Sequence, residues 1–375
     1  MHGGTLARER TSEGSGPAQG PRRILLVRLS HLGDVVHTLP LFHAVRQAHP
    51  TAQIAWAIQT EFADLVRPLP GMARTLEFDR RGGLAAMLRL RREMHAFQPD
   101  WVIDGQGNIK SALVTRLAGA KRRSGFHKSD LRESAAAWAL NDGAPFQDST
   151  GAKHAIDRCL RLAAHVSGSS PQAVQERLPT DWLQLSERER EVGRELWRQQ
   201  VGPSPKRPVV LQVAAPGDVR AWPLERQREL LRELHQQGRD VLVLSGPCEE
   251  DVGRALEAEL QGLQRLHHWV GQSALRELVG TLRAAGEAGA SMVCGDSGPL
   301  HLAAAAGMKC VLLAGPQDEY RTGPWPVPGP DSPHRVLHAR AALECAPCLA
   351  RRCTHLDGPV CMERIDAGQV LQSLE

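Results

Sequence analysis

The sequence predicts an α/β protein built from two Rossmann-like domains that face a central cleft. Short apolar runs alternate with amphipathic segments, as expected for parallel strands joined by helices. Glycine-containing turns follow several of these runs, where ligands gather in such sheets. A stretch rich in glycine and proline between Gln199 and Pro208 interrupts the alternation, which then restarts. The 375 residues suffice for two domains of ordinary size.

The composition fits a soluble globular protein, with 42% hydrophobic and 23% charged residues. No apolar run approaches the length of a membrane span. Residues 1–21 are polar and glycine-rich and lack the apolar segment of a secretory signal. We therefore expect a disordered N-terminal segment and a cytoplasmic protein.

The net charge of +4 is a mild basic bias. Basic residues cluster at Arg89, Arg91 and Arg92, and again at 121–123 and Lys128. Such clusters are solvated faces in most proteins, but they also suit an acidic acceptor or an anionic membrane surface. The charge is too weak and diffuse for nucleic acid, so no nucleic-acid partner is expected.

The first half opens with a buried strand at Ile24–Val27 and a helical pattern that starts near Asp34. From the pattern alone, Asp34 is an N-cap, and Pro40 either kinks the helix or delays its regular part. A strand is expected at Ile54–Ile58, and another at Trp101–Ile103 leads into the turn before Lys110. Between them, a helical stripe is formed by Leu84, Met87, Leu88, Met94 and Phe97.

The second half repeats this alternation. Its strands are expected at Val209–Val213, Val241–Leu244, 291–294 and Val311–Leu313. After the third comes a glycine-flanked turn, and an alanine-rich helix opens near Pro299. The free N–H groups of such a helix start bind phosphate well, although the same pattern also fits a simple capped helix with Ser297 as its cap.

Four motifs in this order resemble glycosyltransferase family 9, the ADP-heptose:lipopolysaccharide heptosyltransferases. They are Ser30–Pro40, Gln106–Ala112, Gly271–Leu278 and Gly295–Ala304. The resemblance implies a GT-B fold with an acceptor-binding domain at 22–200 and a nucleotide-sugar donor domain at 201–361. It also implies a C-terminal helix at 362–375 that packs back across the domain junction.

The resemblance implies an inverting transfer of heptose from ADP-heptose to the lipopolysaccharide inner core, without a required cofactor. Asp34 would be the general base, and Arg220, where the family commonly has lysine, would stabilise the departing diphosphate. On the donor side, Ser297, Gly298 and His301 would hold the phosphates, Asp296 would shape the turn or contact the sugar, and Glu249 or Glu250 would bind ribose.

On the acceptor side, the resemblance places Lys110 and His154 in segments that line the site. Their alternative roles are a surface lysine and a hydrogen-bonded loop histidine. A lipid-linked core oligosaccharide as acceptor implies a location at the inner face of the cytoplasmic membrane, with peripheral contact. The loop Ala214–Pro216 lacks the hydroxyl residues that the family often has there, which leaves a different nucleotide-sugar donor open.

A second conspicuous group is formed by four cysteines within 17 positions, Cys345, Cys348, Cys353 and Cys361. Such a group could surround a structural zinc ion, but the spacing departs from paired C-x2-C motifs. Structural thiols are the other interpretation.

Two further function classes compete with a transferase. A nicotinamide-dependent oxidoreductase would also use two α/β halves, but no G-x-G-x-x-G turn follows any of the expected strands. A non-catalytic sugar-nucleotide binder would have no need for both Asp34 and the cation at Arg220.

Overall fold

The computed structural model describes residues 20–145, 154–215, 217–259, 262, 265–271 and 274–375. Most of the predicted disordered segment, Pro216 of the hydroxyl-poor loop, and Gln272 and Ser273 of the third motif lie outside the described residues.

The N-terminal half is built on a parallel six-stranded sheet in the order β3-β2-β1-β4-β5-β6. This is the doubly wound order, in which the order of the strands along the sheet reverses between β1 and β4. The loops after β1 and β4 therefore open into one crevice. The strands are β1 (Arg23–Val27), β2 (Gln53–Gln59), β3 (Met72–Phe78), β4 (Trp101–Asp104), β5 (Arg122–Gly125) and β6 (Asp142–Gly143).

Helices cover both faces of this sheet. One face carries α1, and the opposite face carries α3 and α4 over a core that includes Leu25 and Val27. Helix α1 begins at Leu32 and continues through Pro40 to Ala48, so the proline does not delay its regular part. The helices are α1 (Leu32–Ala48), α2 (Thr60–Val66), α3 (Gly83–Phe97), α4 (Ile109–Leu117), α5 (Ala155–Ser167), α6 (Pro171–Arg177) and α7 (Glu187–Val201).

The C-terminal half repeats the arrangement with the order β12-β11-β10-β7-β8-β9, so its switch point lies between β7 and β10. Its strands are β7 (Val209–Gln212), β8 (Val241–Ser245), β9 (Leu266–Val270), β10 (Ser291–Gly295), β11 (Lys309–Leu313) and β12 (Arg335–Leu337). Its helices are α8 (Leu224–Gln236), α9 (Glu250–Glu259), α10 (Leu275–Glu287), α11 (Gly298–Ala305), α12 (Glu319–Thr322), α13 (Val360–Glu363) and α14 (Ala367–Ser373). The predicted pair of Rossmann-like halves is confirmed.

Two expectations about helices were wrong. Leu84 and Leu88 were expected on the buried stripe of α3, but both are exposed. The helix instead buries the row formed by Ala86, Leu90, Met94 and Phe97. The C-terminal helix α14 packs chiefly against α8 and β12 of its own half rather than across the junction.

The junction between the halves is held on one side by α7 and α10. Gly193 and Gly280 let the two backbones touch, since a Cβ on Gly193 would lie 2.2 Å from the Gly280 carbonyl carbon. Beside them, the buried Arg276 binds the Glu189 carboxylate through Nε at 2.6 Å and donates to the Leu183 carbonyl at 2.7 Å. The arginine of the third motif is therefore an interdomain anchor.

Candidate active site

Asp34 lies in the first turn of α1, at the carboxyl end of β1 and beside the switch point of the N-terminal half. It is the third residue of the helix and not its N-cap, which is His31. The Asp34 Oδ2 accepts from the His31 amide at 3.3 Å and pairs with Arg28 Nη2 at 2.7 Å. The side chain keeps 24% of its surface exposed, so a ligand can reach it.

The charge of Asp34 is fixed by these contacts. Burial by itself raises the pKa of Asp34, but the Arg28 guanidinium and the hydrogen bonds from His31 outweigh it and hold the pKa well below its ordinary value. His31, Arg28 and Arg132 all approach Oδ2, and among the described residues no donor is hydrogen-bonded to Oδ1. The carboxylate is thus ionised and has one oxygen free for a hydroxyl.

The sequence did not single out two arginines near this carboxylate. Arg28 is buried, and its Nη1 donates to the Gly105 carbonyl at 2.7 Å across the switch point. Arg132 approaches Asp34 Oδ2 with Nη1 at 3.9 Å and is largely exposed. A charged residue directly after a buried strand is the signal that could have identified Arg28. Arg132 comes from a loop about a hundred positions away and leaves no local signal.

The predicted donor turn lies at the switch point of the C-terminal half. Ser297 is in the N-cap position of α11, but its hydroxyl donates to Gln212 Oε1 at 3.1 Å and makes no cap bond. The expectation of a Ser297 side-chain cap was therefore wrong. Gly298 packs on α1, because a Cβ there would lie 2.8 Å from Leu32 Cδ2. The first turns of α1 and α11 thus meet across the cleft.

Arg220 lies beside this turn, because the loop after β7 contacts the loop after β10. Its Nη1 donates to the Asp296 carbonyl at 2.6 Å, and its Nε and Nη2 bind the Asp218 carboxylate at 2.9 and 2.6 Å. Gly295 permits this approach, since a Cβ there would lie 2.8 Å from the Arg220 carbonyl oxygen. The structure therefore brings Arg220 and the 295–298 turn together.

A hydrogen-bond chain joins the two halves next to Asp34. His301 Nε2 lies 3.1 Å from Asp296 Oδ1, and His301 Nδ1 lies 3.1 Å from His37 Nε2. Because a carboxylate only accepts, His301 Nε2 is the donor, and the neutral His301 Nδ1 accepts from His37 Nε2–H. Thr322 Oγ1 donates to the second Asp296 oxygen at 3.0 Å. Both nitrogens of His301 are engaged, which differs from the predicted phosphate contact.

His37 and His154 are buried in this interface. Burial, followed by the nearby His301 and His154, lowers the pKa of His37 well below its ordinary value. His154 is the N-cap of α5, and its Nδ1 accepts from the Ile156 amide while its Nε2 donates to the Gly323 carbonyl at 3.1 Å. Burial lowers the pKa of His154 to about 4. His154 is therefore a hydrogen-bonded contact between the halves, the alternative role considered for it.

The remaining predicted site residues lie at the carboxyl edges of the sheets. Lys110 is exposed in the first turn of α4. Glu249 folds over its own turn, since a Cβ on Gly246 would lie 2.5 Å from its Oε2. Glu250 begins α9 and pairs with Arg254 one turn later.

The four C-terminal cysteines line one small pocket, which Val219 and Pro316 also line. Cys361 is buried, and burial raises its pKa, whereas Cys345, Cys348 and Cys353 are exposed. Within the described ranges, no three His, Cys, Asp or Glu side chains are arranged to hold a metal ion. Because Val219 lines the same pocket, the four cysteines lie next to the loop that carries Arg220.

Comparison with known proteins relates this chain to the heptosyltransferases. Residues 87–357 match the model of glycosyltransferase family 9 (heptosyltransferase). The chain is 27% identical to lipopolysaccharide heptosyltransferase 1 of Pseudomonas aeruginosa, with 94% of this chain and 97% of that protein covered. It is 30% identical to lipopolysaccharide heptosyltransferase 1 of Salmonella typhimurium, with 79% and 89% covered.

Solved structures agree in fold. A family 9 glycosyltransferase from Veillonella parvula superposes with a TM-score of 0.73 at 17% identity, over 94% of this chain and 95% of that one. The E. coli heptosyltransferase WaaC with ADP-2-deoxy-2-fluoro heptose gives a TM-score of 0.67 at 23% identity, over 93% and 98%.

The two Rossmann-like halves form the GT-B fold that the heptosyltransferase structures share. The chain belongs to glycosyltransferase family 9, the heptosyltransferase family.

Proposed function

We propose that this enzyme transfers a heptose from ADP-heptose to the inner core of lipopolysaccharide, with inversion at the anomeric carbon. The N-terminal half, residues 22–200, binds the acceptor, and the C-terminal half, residues 201–361, binds the donor. The observation that carries the proposal is the ionised Asp34, whose free Oδ1 lies on the helix turn that packs against the start of α11.

In this mechanism Asp34 accepts the proton of the acceptor hydroxyl while that oxygen attacks the anomeric carbon. General-base catalysis needs a carboxylate within hydrogen-bond reach of the hydroxyl, in the deprotonated state at neutral pH. Arg28 supplies that state and holds the carboxylate by Oδ2, which leaves Oδ1 for the substrate. The pair therefore positions the base, at the cost of some basicity.

The departing ADP carries the negative charge that develops in the transition state. In this proposal, Arg220 and the amides of Gly298 and Leu300 bind the diphosphate at the positive end of α11. Pro299, which lies between these two residues, has no N–H to donate. Asp218 holds the Arg220 fork in place, and the incoming diphosphate competes for the same guanidinium. A planar fork can bind two phosphate oxygens at once.

The acceptor is lipid-linked in this proposal, so the protein works at the inner face of the cytoplasmic membrane through peripheral contact. Among the described residues, no helix is long and apolar enough to cross a bilayer. Lys110 and Arg132 supply cations on the acceptor side for acidic core sugars, and Glu249 or Glu250 binds the ribose on the donor side. The proposed transfer requires no cofactor.

Replacing Asp34 with Asn tests the base. We expect transfer to fall at least about 100-fold, since loss of a general base typically costs 100- to 10,000-fold, while calorimetry shows ADP binding unchanged. Asp331→Asn, an exposed carboxylate of the other half, is the matched control and should keep full activity. Transfer by Asp34→Asn within threefold of the parent would rule out this base.

Donor identity is tested separately by calorimetry with ADP, UDP and GDP. Tighter binding of ADP supports ADP-heptose. Tighter binding of UDP or GDP would assign the chain to a GT-B transferase with another donor, an alternative that the hydroxyl-poor loop at Ala214 and Ala215 leaves open.

A further inference from the structure

The outer face of the N-terminal half carries a group of large apolar side chains that the core does not use. They stand on α3, on α4 and on the short helical turn Ser134–Ala139. Their exposed fractions are 75% for Leu84, 45% for Leu88, 51% for Ile109, 41% for Leu113 and 53% for Trp138. We call this surface the α3–α4 face.

These side chains lie on the same side of the N-terminal half, because α3 and α4 cover the same face of the sheet. Leu90 of α3 and Val114 of α4 share one core cluster, and His95 Nε2 lies 3.1 Å from the Leu117 carbonyl oxygen, which joins the two helices. Leu84 and Leu88 are one turn apart on α3, and Ile109 and Leu113 are one turn apart on α4, so each pair lies on one side of its helix. The turn with Trp138 packs against α4.

The charges on α3 and α4 are mostly positive, although the exposed Glu133 lies at the start of α4, where its Oε2 accepts from the Ile109 amide at 2.9 Å. Arg89, Arg91, Arg92, Lys110 and Arg116 are exposed on the two helices, whose one acidic residue, Glu93, is half-buried. Within the part of the chain that the structure describes, none of these five cations is held in a salt bridge. Their charge is therefore open to an external anion.

The face borders the acceptor side of the cleft. The loop before α4 contains Gln106, whose Oε1 accepts from the Leu29 amide at 2.7 Å. Leu29 belongs to the loop between β1 and α1, which leads directly to Asp34. A partner that covers the α3–α4 face would consequently end beside the general base.

We propose that the α3–α4 face docks on the surface of a bilayer rich in anionic phospholipid. Apolar side chains that alternate with cations along a helix insert at the level of the headgroups, while the cations bind lipid phosphates. A second copy of the chain would bring two basic surfaces together, which disfavours self-association here. The inference rests on the proposed function, in which the acceptor is anchored in such a bilayer.

Vesicle flotation tests the proposal. The full chain is mixed with phosphatidylcholine vesicles, with or without an equal part of phosphatidylglycerol, and the bound fraction is measured. We expect binding only to the anionic vesicles and a loss of binding at high salt. The variant Arg89→Gln/Arg92→Gln should bind about 25-fold more weakly, at about fivefold for each cation near an anionic surface. Leu84→Ser/Leu88→Ser should also reduce binding.

The matched control is Arg188→Gln/Val192→Ser on α7, which removes an exposed cation and an exposed apolar residue one turn apart elsewhere. It should bind as the parent does. Equal binding to both vesicle types, or no effect of either variant on the face, would overturn the proposal. So would a self-association that Leu84→Ser/Leu88→Ser abolishes.

The same variants are assayed with a detergent-solubilised acceptor. Full transfer in detergent together with lost vesicle binding supports the docking surface, whereas absence of transfer by the parent protein would contradict the proposed function while leaving vesicle binding interpretable.

Discussion

At Gly33, α1 packs tightly against the C-terminal half. A Cβ there would lie 2.3 Å from His301 Cδ2, and the His301 ring is bound on both sides by His37 and Asp296, so it cannot turn away freely. We expect Gly33→Ala to cost about 1–3 kcal/mol of stability, as overpacking of a tight site does. Transfer should fall at the same time, because the adjacent Asp34 is displaced from the cleft. Thermal unfolding and a transfer assay measure both effects.

Gly143→Ala is the matched control, since a Cβ at Gly143 makes ordinary contact, 3.8 Å from the Phe126 carbonyl oxygen. It should change neither stability nor transfer. Gly33→Ala with full stability and full activity would show that His301 is free to move and that the junction is looser than described.

At the residue scale, the sequence predicted where a site residue such as Asp34 lies better than it predicted the contacts of the site residues. Asp34 was placed at a helix start next to a strand end, and the structure has it there. Arg28 and His37 were not assigned, because their roles come from contacts with residues that lie far away in the chain. His37 meets His301 across 264 positions, and no local pattern encodes such a contact.

Among the elements, the cysteine segment that ends in α13 carries the open question of metal. We propose that its four cysteines act as thiols that pack beneath the Arg220 loop, with Cys361 buried and the other three exposed. Titration of the native protein with a thiol reagent should then give four fast groups, namely Cys345, Cys348, Cys353 and Cys248. The four buried cysteines should react only after unfolding, since burial keeps a thiol unreactive.

Zinc would give a different result. One equivalent of zinc in the purified protein, with Cys248 as the single fast thiol until a chelator is added, would replace thiol packing by a structural metal site. Cys248→Ser, which alters the one exposed cysteine outside the segment, serves as the control that identifies its signal.

Elements were predictable where local patterns suffice. Strands such as β1 and β8 are buried on both faces and leave continuous apolar runs, which located them to within a residue or two. The stripe on α3 failed for a physical reason. Leu84 and Leu88 fit helical spacing, yet the helix buries another row, and apolar spacing alone cannot tell a buried row from an exposed one.

For the whole molecule, the arrangement of the halves depends on two contact groups at the junction. Arg276 anchors α10 to α7 and to the N-terminal half, through the Asp64 carboxylate at its amide and the Leu183 carbonyl. The histidine chain closes the side next to Asp34. In the proposed mechanism, transfer needs both Asp34 and the α11 turn, so closure on the histidine side would bear on transfer. The domain limits themselves stay a prediction.

The histidines make that closure sensitive to acid. His154 is buried against Trp325, with His37, His301 and Asp296 as its titratable neighbours, and burial lowers its pKa to about 4 from an ordinary 6.5. The unfolded chain then binds more protons than the folded one between these values, so stability falls as the pH drops below about 6.5. From pH 7.5 to pH 5 the expected loss from His154 alone is on the order of 2 kcal/mol.

Denaturant unfolding at several pH values tests this expectation with His154→Gln. The variant should be less stable than the parent at pH 7.5, because it loses the bond to the Gly323 carbonyl and the contact with Trp325. The difference should shrink or reverse at pH 5, where only the parent must bury a group that water would protonate. His338→Gln, at an exposed histidine, should follow the parent curve throughout. Parallel curves for His154→Gln and the parent would mean that His154 has the same pKa in the folded and unfolded states, and any acid sensitivity would then come from other groups, such as His37.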